Sequence, residues 1–129
     1  MKIGIDLDDT ITYAPDFFKV LTQTMSPTVE IHIITRREPG TEKDIARELE
    51  QMGIRYHFIK ITDQKADYIL ERGIEVYFDD TDEYFQSLPE SVKVFKTREP
   101  GNFCFKSGRW FYGKKTGVDI EERRSTKTG

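Results

Sequence analysis

The feature that most constrains this chain is an alternation that runs through its first hundred residues. Short runs of β-branched and aromatic residues recur at 2–6 (KIGID), 29–35 (VEIHIIT), 56–61 (YHFIKI), 74–78 (IEVYF) and 92–95 (VKVF). Each is short, apolar and followed by turn-forming or acidic residues, the signature of a buried strand. The stretches between them carry apolar residues at helical spacing: Phe17, Phe18, Leu21 and Met25 before Pro27; Ile45, Leu49 and Met52 between Thr41 and Gly53; Ala66, Ile69 and Leu70 between Thr62–Asp63 and Gly73. Thr41 and Thr62 or Asp63 are candidate caps at the helix starts, and the two glycines are candidate stops. A further short helix is expected over 82–88, ended by Pro89. The pattern βαβαβαβαβ predicts an α/β fold: a three-layer, Rossmann-like sandwich with a mainly parallel five-stranded sheet, helices on both faces and right-handed crossovers.

Composition agrees with one such unit. A chain of 129 residues is one domain long and buries roughly two-thirds of its unfolded surface on folding. Aromatic residues at 12% argue against disorder, and charged residues at 33% with a mean hydropathy of -0.62 describe a well-solvated surface. The net charge of -3 carries no overall basic field toward nucleic acid or membrane. Cys104 is the only cysteine, so neither a disulfide framework nor a cysteine zinc site is available within the chain. The start, Met1 to Asp6, is not an apolar leader, and no run approaches the ~18 apolar residues of a membrane span. The expected setting is the cytoplasm, with no membrane partner. From about residue 97 the alternation stops. The sequence therefore divides into a core, 1–97, and an aromatic and basic extension, 98–129, expected to pack on that core. Phe103, Phe105, Trp110, Phe111 and Tyr112 precede Lys114 and Lys115, and 113–129 carries five basic and three acidic residues. Its aromatic part has three readings: a hairpin packed on the sheet, a piece completing the site or an oligomer interface, and a platform for stacking bases. Its last stretch, 121–129, is expected to fray.

In an open parallel sheet, ligands sit in the crevice at the carboxyl ends of the strands. The chemically capable residues fall at those ends. The first strand delivers Asp6, Asp8 and Asp9; the second delivers Thr35, Arg36 and Arg37; the fourth delivers Asp79, Asp80 and Asp82; and Lys65 stands at the start of the helix that precedes the fourth. Carboxylates brought together repel unless a proton or a cation intervenes. A small set of hard oxygen donors suits Mg²⁺, which completes its octahedron with water and substrate phosphate. Lys65, Thr35 and backbone amides offer a phosphate positive charge and donors. A carboxylate can also act as the nucleophile. Phosphoryl transfer uses all of these parts.

These residues resemble the haloacid dehalogenase superfamily of phosphohydrolases. Its first motif, a strand ending Asp-x-Asp-x-Thr, is matched by Asp6-Leu7-Asp8-Asp9-Thr10; its second, an apolar strand ending in Thr or Ser, by Ile33-Ile34-Thr35; its third by Lys65; and its fourth, an acidic pair, by Asp79-Asp80. The motifs stand in the family's order between residues 3 and 80. The resemblance implies that Asp6 is the nucleophile and that Asp8 protonates the leaving group and then activates water. It implies that Thr35 and Lys65 hold the phosphoryl group. Mg²⁺ would be bound by Asp6, the Asp8 carbonyl and Asp79, with Asp80 supporting directly or through water. Asp9 stands where the family often has Gly. About fifteen residues separate Thr12 from the second strand, and 36–64 is used by one helix and one strand, so the chain resembles a capless member with no separate cap domain. Among relatives, the short first-motif region is similar to deoxyribonucleotidase-like and phage-type phosphatases. An open site suits a small phosphorylated substrate, such as a nucleotide, or a nucleic-acid phosphate end, and is compatible with a lid from the tail or a homo-oligomer.

Two readings compete. A receiver domain also joins acids, a Thr and a Lys on such a sheet, but its phosphoacceptor ends the third strand, where this chain has Lys60-Ile61-Thr62. A catalytically silent module of the same fold, binding a partner or nucleic acid through its C-terminal tail, is the alternative function. Arg36 and Arg37 are either substrate ligands or solvated strand-end arginines. His32 and His57 lie within strands and are expected to be structural.

Overall fold

The alternation becomes a single five-stranded sheet in the computed structural model, which describes residues 1–113 and 115–117. The strands are β1 (Lys2–Ile5), β2 (Glu30–Thr35), β3 (Phe58–Ile61), β4 (Val76–Asp79) and β5 (Lys93–Lys96). All neighbouring pairs are parallel, in the order β3-β2-β1-β4-β5. The helices are α1 (Pro15–Thr24), α2 (Glu42–Met52) and α3 (Lys65–Arg72). The fold class expected from the sequence, an α/β Rossmann-like sandwich, is the one observed.

Strand alternation sorts the core into two layers. Ile3 and Ile5 of β1 and Ile31 and Ile33 of β2 pack with Phe18 of α1 and Ile45 and Leu49 of α2. Ile34 of β2 and Tyr77 of β4 face the other way, onto Tyr68 and Ile69 of α3 with Tyr84 and Val92. The order of strands explains this division. The chain steps outward from β1 through β2 to β3, then returns across β1 to place β4 on the far side. Crossovers of one hand require the returning helix on the opposite face, which is where α3 lies. The reversal leaves a switch point between β1 and β4, the position where a crevice opens at the strands' carboxyl ends.

Several local expectations shift. Thr41 stands at the N-cap of α2 without a side-chain capping bond, its Oγ1 donating to the Glu38 carbonyl at 2.7 Å; Gln64, rather than Thr62 or Asp63, stands at the N-cap of α3, and Thr62 Oγ1 accepts the Gln64 N–H at 2.9 Å. Gly53 and Gly73 do close those helices in the left-handed conformation, at φ 72° and 67°. The helix expected over 82–88 is reduced to one 3-10 turn, Asp82–Tyr84, followed by irregular turns. Seven residues before Pro89 are too few to repay helix nucleation. His32 is buried between Tyr68 Oη at 2.7 Å and Glu30 Oε1 at 2.6 Å, and His57 Nδ1 accepts the Ile31 N–H at 2.9 Å, so both histidines are structural.

The described part of the extension begins as an antiparallel hairpin of β6 (Phe103–Cys104) and β7 (Arg109–Trp110). Asn102 ties it to the core, its side-chain N–H groups donating to the carbonyls of Asp80 at 2.9 Å and Thr97 at 2.8 Å. Trp110 lies 4.1 Å from Lys96 Nζ at the end of β5, and Arg98 covers Phe103 and Phe105. The aromatic tail thus forms a hairpin at the carboxyl ends of β4 and β5, with Phe103 buried and Phe105, Trp110, Phe111 and Tyr112 exposed. Lys114 and the stretch expected to fray, 121–129, lie outside the described residues. Among the described residues, no helix is long and apolar enough to cross a membrane.

Gly4, in the middle of β1, is closely packed on its α3-facing side. A Cβ there would stand 2.9 Å from Ile34 Cδ1 and 3.0 Å from Tyr77 Cδ1, both in the α3-side core. Gly4→Ala is expected to destabilise the fold by about 1–3 kcal/mol, the usual cost of overpacking a filled core. A lowered urea midpoint at unchanged slope checks this, and an unchanged midpoint contradicts it.

Candidate active site

The site is built from the loops that leave β1, β2 and β4. Asp6 follows β1 directly, and its N–H still donates to the Phe78 carbonyl of β4 at 2.9 Å, so the nucleophile candidate is fixed by the sheet ladder. After it the chain turns sharply. The N–H groups of Ile11 and Thr12 reach the carbonyls of Asp6 and Leu7, and Asp9 takes a left-handed conformation at φ 61°. Asp9 is the one non-glycine residue with positive φ among the described residues. That conformation strains most side chains, although Asp tolerates it better than β-branched types. Glycine would adopt it without that strain.

Buried charge dominates the centre. Lys65, the first residue of α3, is 3% exposed and places Nζ 2.8 Å from Asp6 Oδ1 and 3.1 Å from Asp79 Oδ2. Thr10 Oγ1 donates to the other Asp6 oxygen at 3.1 Å. Asp79 is held by three more donors: the Tyr77 hydroxyl and the N–H groups of Asp80 at 2.7 Å and Thr81 at 3.1 Å. Burial and the neighbouring charge of Asp79 push the Asp6 carboxyl well above the usual carboxylate range, against the pull of Lys65. Burial likewise raises Asp79. The same burial opposes charge on Lys65, but the two carboxylates outweigh it and hold the ammonium above its ordinary range. Tyr77 is pushed well upward by burial and by Asp79, so its phenol stays protonated and donates.

A second cation serves the other side of the cluster. Lys115 Nζ lies 2.8 Å from Asp80 Oδ2, 3.0 Å from Asp9 Oδ2 and 3.1 Å from Glu99 Oε1. Burial opposes ionisation of Asp80, yet the Lys115 ammonium outweighs it and keeps the carboxyl below its ordinary range. Its backbone anchors the contact, since the Lys115 carbonyl accepts the Asp82 N–H at 2.9 Å.

The oxygens suit a hard divalent cation. One carboxylate oxygen each from Asp6, Asp79 and Asp80 can be chosen within 4.8 Å of one another, and all three residues are buried. The donors are oxygen only, the set that Mg²⁺ prefers. Five carboxylates (Asp6, Asp9, Asp79, Asp80 and Glu99) face two ammonium groups, so negative charge is left over for a cation to neutralise. Thr35 stands on the neighbouring strand, β2. Asp6 is level with Ile34 in the β1–β2 register, which puts Thr35 one residue further along the neighbouring strand. Its Oγ1 is the buried side-chain polar atom without a partner among the described residues. An orphaned buried hydroxyl at the switch-point edge suits a ligand with acceptor oxygens.

The structure thus brings Asp6, Lys65, Asp79 and Asp80 together and leaves Asp8 apart. The Asp8 side chain is 55% exposed and is gripped by Arg37. Arg37 also binds Glu48 of α2, so of the two arginines considered as substrate ligands it is committed to protein carboxylates. Arg36 donates to the Tyr84 hydroxyl at 2.8 Å, and the Tyr84 ring lies 4.4 Å from Lys65 Nζ. Asp82 pairs with Lys96 at 3.0 Å. The sequence reading missed Tyr77, Glu48, Glu99 and Lys115. Lys115 showed only as part of a basic tail, and the others gave no motif signal.

Comparison with known proteins adds no relative: no family model matches the chain, and neither a curated protein nor a solved structure matches it.

A carboxyl whose folded-state pKa is raised keeps its proton to higher pH than in the unfolded chain. Its ionisation above that range therefore costs stability, which returns as the pH falls through the folded value. For Asp6 this predicts that Asp6→Asn, measured at neutral pH with chelator, is more stable than the wild type. The gain should shrink on acidification. Equal or lower stability of the variant at neutral pH contradicts the assignment of burial as the dominant influence on Asp6.

Proposed function

We propose that this chain is a Mg²⁺-dependent phosphomonoesterase that works through an aspartyl-phosphate on Asp6, as the resemblance to haloacid dehalogenase-type phosphohydrolases implies. Its substrate would be a nucleotide, another small phosphomonoester or a nucleic-acid phosphate end. The observation that carries this reading is the buried Asp6 carboxylate, pinned by Lys65 and Thr10 beside Asp79 and Asp80 at the switch point of the sheet.

Asp6, Asp79 and Asp80, with the Asp8 carbonyl, would hold the ion, which when bound supplies positive charge opposite the phosphate oxygens. An oxygen of Asp6 attacks phosphorus, and the bond from phosphorus to the ester oxygen breaks. Asp8 gives its proton to the departing oxygen. Water then attacks the same phosphorus and passes a proton to Asp8. The bond from phosphorus to Asp6 breaks, releasing phosphate and restoring both acids. Lys65 offsets charge on Asp6 in the ground state and on the transferring group as it arrives. Thr35 Oγ1 offers a donor that no acceptor among the described residues uses. Tyr77 and the Asp80 and Thr81 amides keep Asp79 in place during both steps.

Phosphate release from a panel of nucleoside monophosphates, sugar phosphates, phosphorylated oligonucleotide ends and an aryl phosphate is the direct test. The expected result is release with Mg²⁺, none with chelator, and none from Asp6→Asn. Asp8→Asn should lose about 10²–10⁴-fold on esters with poor leaving groups. Release that survives both chelation and Asp6→Asn overturns the reading, and so does inactivity of the wild type across the panel.

A further inference from the structure

We propose that Arg37 is a positioning residue for Asp8, setting the stance from which that carboxyl exchanges protons with the leaving group and with water. The proposal rests on the phosphatase reading above and adds a residue to which the family motifs assign no role.

The geometry is specific. Arg37 Nε donates to Asp8 Oδ2 at 3.2 Å and Nη2 to Asp8 Oδ1 at 2.8 Å, a side-on, bidentate pair. The far edge of the same guanidinium engages Glu48: Nη1 donates to Oε2, and Nη2 to Oε1 at 3.0 Å. A guanidinium has five N–H groups, and these four bonds leave at most one free. Arg37 therefore has little left for a substrate phosphate unless it releases Asp8.

Asp8 needs such a partner. It lies on extended backbone, φ -71° and ψ 132°, just past β1, and its side chain is more than half exposed. An exposed aspartate otherwise samples several staggered rotamers, and proton transfer rewards one of them. The support comes from a rigid element, because Glu48 sits in the middle of α2, one residue before the fully buried Leu49. The line Glu48–Arg37–Asp8 thus ties the loop after β1 to a packed helix. Lysine could match the charge but not the two-pronged grip.

The test is leaving-group dependence, because a proton donor matters for a poor leaving group and little for a good one. kcat/KM would be measured with Mg²⁺ on β-glycerophosphate and on p-nitrophenyl phosphate, for wild type, Arg37→Ala, Arg37→Lys and Glu48→Gln. Thermal melts of each variant would establish folding. The proposal expects Arg37→Ala to lose about 100-fold on the alkyl ester, the scale set by misplacing a catalytic group, and far less on the aryl ester. Arg37→Lys should recover little, Glu48→Gln should show the same selectivity in weaker form, and Arg37→Ala should add nothing in an Asp8→Ala background. Equal losses on both esters, or an effect that persists without Asp8, overturn the proposal while leaving the phosphatase reading intact. A wild type that hydrolyses neither ester overturns both. If Arg37→Ala fails to fold, Glu48→Gln decides alone, and uniform loss in it contradicts the proposal.

Discussion

The site depends on one arrangement, an ammonium buried between two buried carboxylates at the point where the strand order reverses. Removing charges from water costs several kcal/mol per ion, and mutual attraction repays this only where geometry and further hydrogen bonds are good. Here Lys65 bridges Asp6 and Asp79, Thr10 satisfies the second oxygen of Asp6, and Tyr77 with two backbone amides satisfies Asp79. The arrangement still leaves an excess of negative charge, and both acids are raised above their ordinary range. A surplus of buried carboxylate is a poor way to stabilise a fold and a good way to hold a cation and activate a nucleophile.

The sheet makes that arrangement attainable. Asp6 and Asp79 leave adjacent strands at nearly the same level, since Ile5 is paired with Phe78 and Asp6 donates to the Phe78 carbonyl. Lys65 begins the one helix that crosses to the opposite face, so its side chain reaches the same edge from below. Gly4 allows Ile34 and Tyr77 to close over β1, and Tyr77 carries the hydroxyl that Asp79 accepts. Packing and site chemistry are thus coupled through single residues. The extension adds to this: Asn102 binds the Asp80 carbonyl, and Lys115 joins Asp80, Asp9 and Glu99, so segments far apart in sequence share one charged hub.

Much of this was legible in the sequence because strand runs and strand-end acids are local signals. Asp6, Thr35, Lys65, Asp79 and Asp80 could be placed at one edge from spacing alone, and the fold class followed from alternation. Three kinds of information were not legible. Side-chain partners such as Glu48 and Tyr84 depend on which helix face meets which loop, and the sequence pattern shows neither. Lys115 sits 35 residues beyond Asp80 in a segment whose periodicity is lost. Short segments such as 82–88 have helical spacing but lack the length to propagate, so tertiary contacts decide their form. The arginines after β2 illustrate the cost: their place at a strand end left substrate binding and a solvated role equally open, whereas Arg37 is committed to Asp8 and Glu48, and Arg36 to Tyr84.

The central claim is that Asp6 becomes covalently phosphorylated, and a rapid acid quench tests it most directly. Asp8→Asn, mixed with p-nitrophenyl phosphate and Mg²⁺, retains an easily expelled leaving group but lacks the carboxylate to which the proposal gives the activation of water. The account predicts a phosphoryl adduct that builds up on the peptide containing Asp6, is removed by hydroxylamine as an acyl phosphate should be, and is missing when chelator is present. Phosphate release without any such adduct, or an adduct on a different residue, would contradict the account.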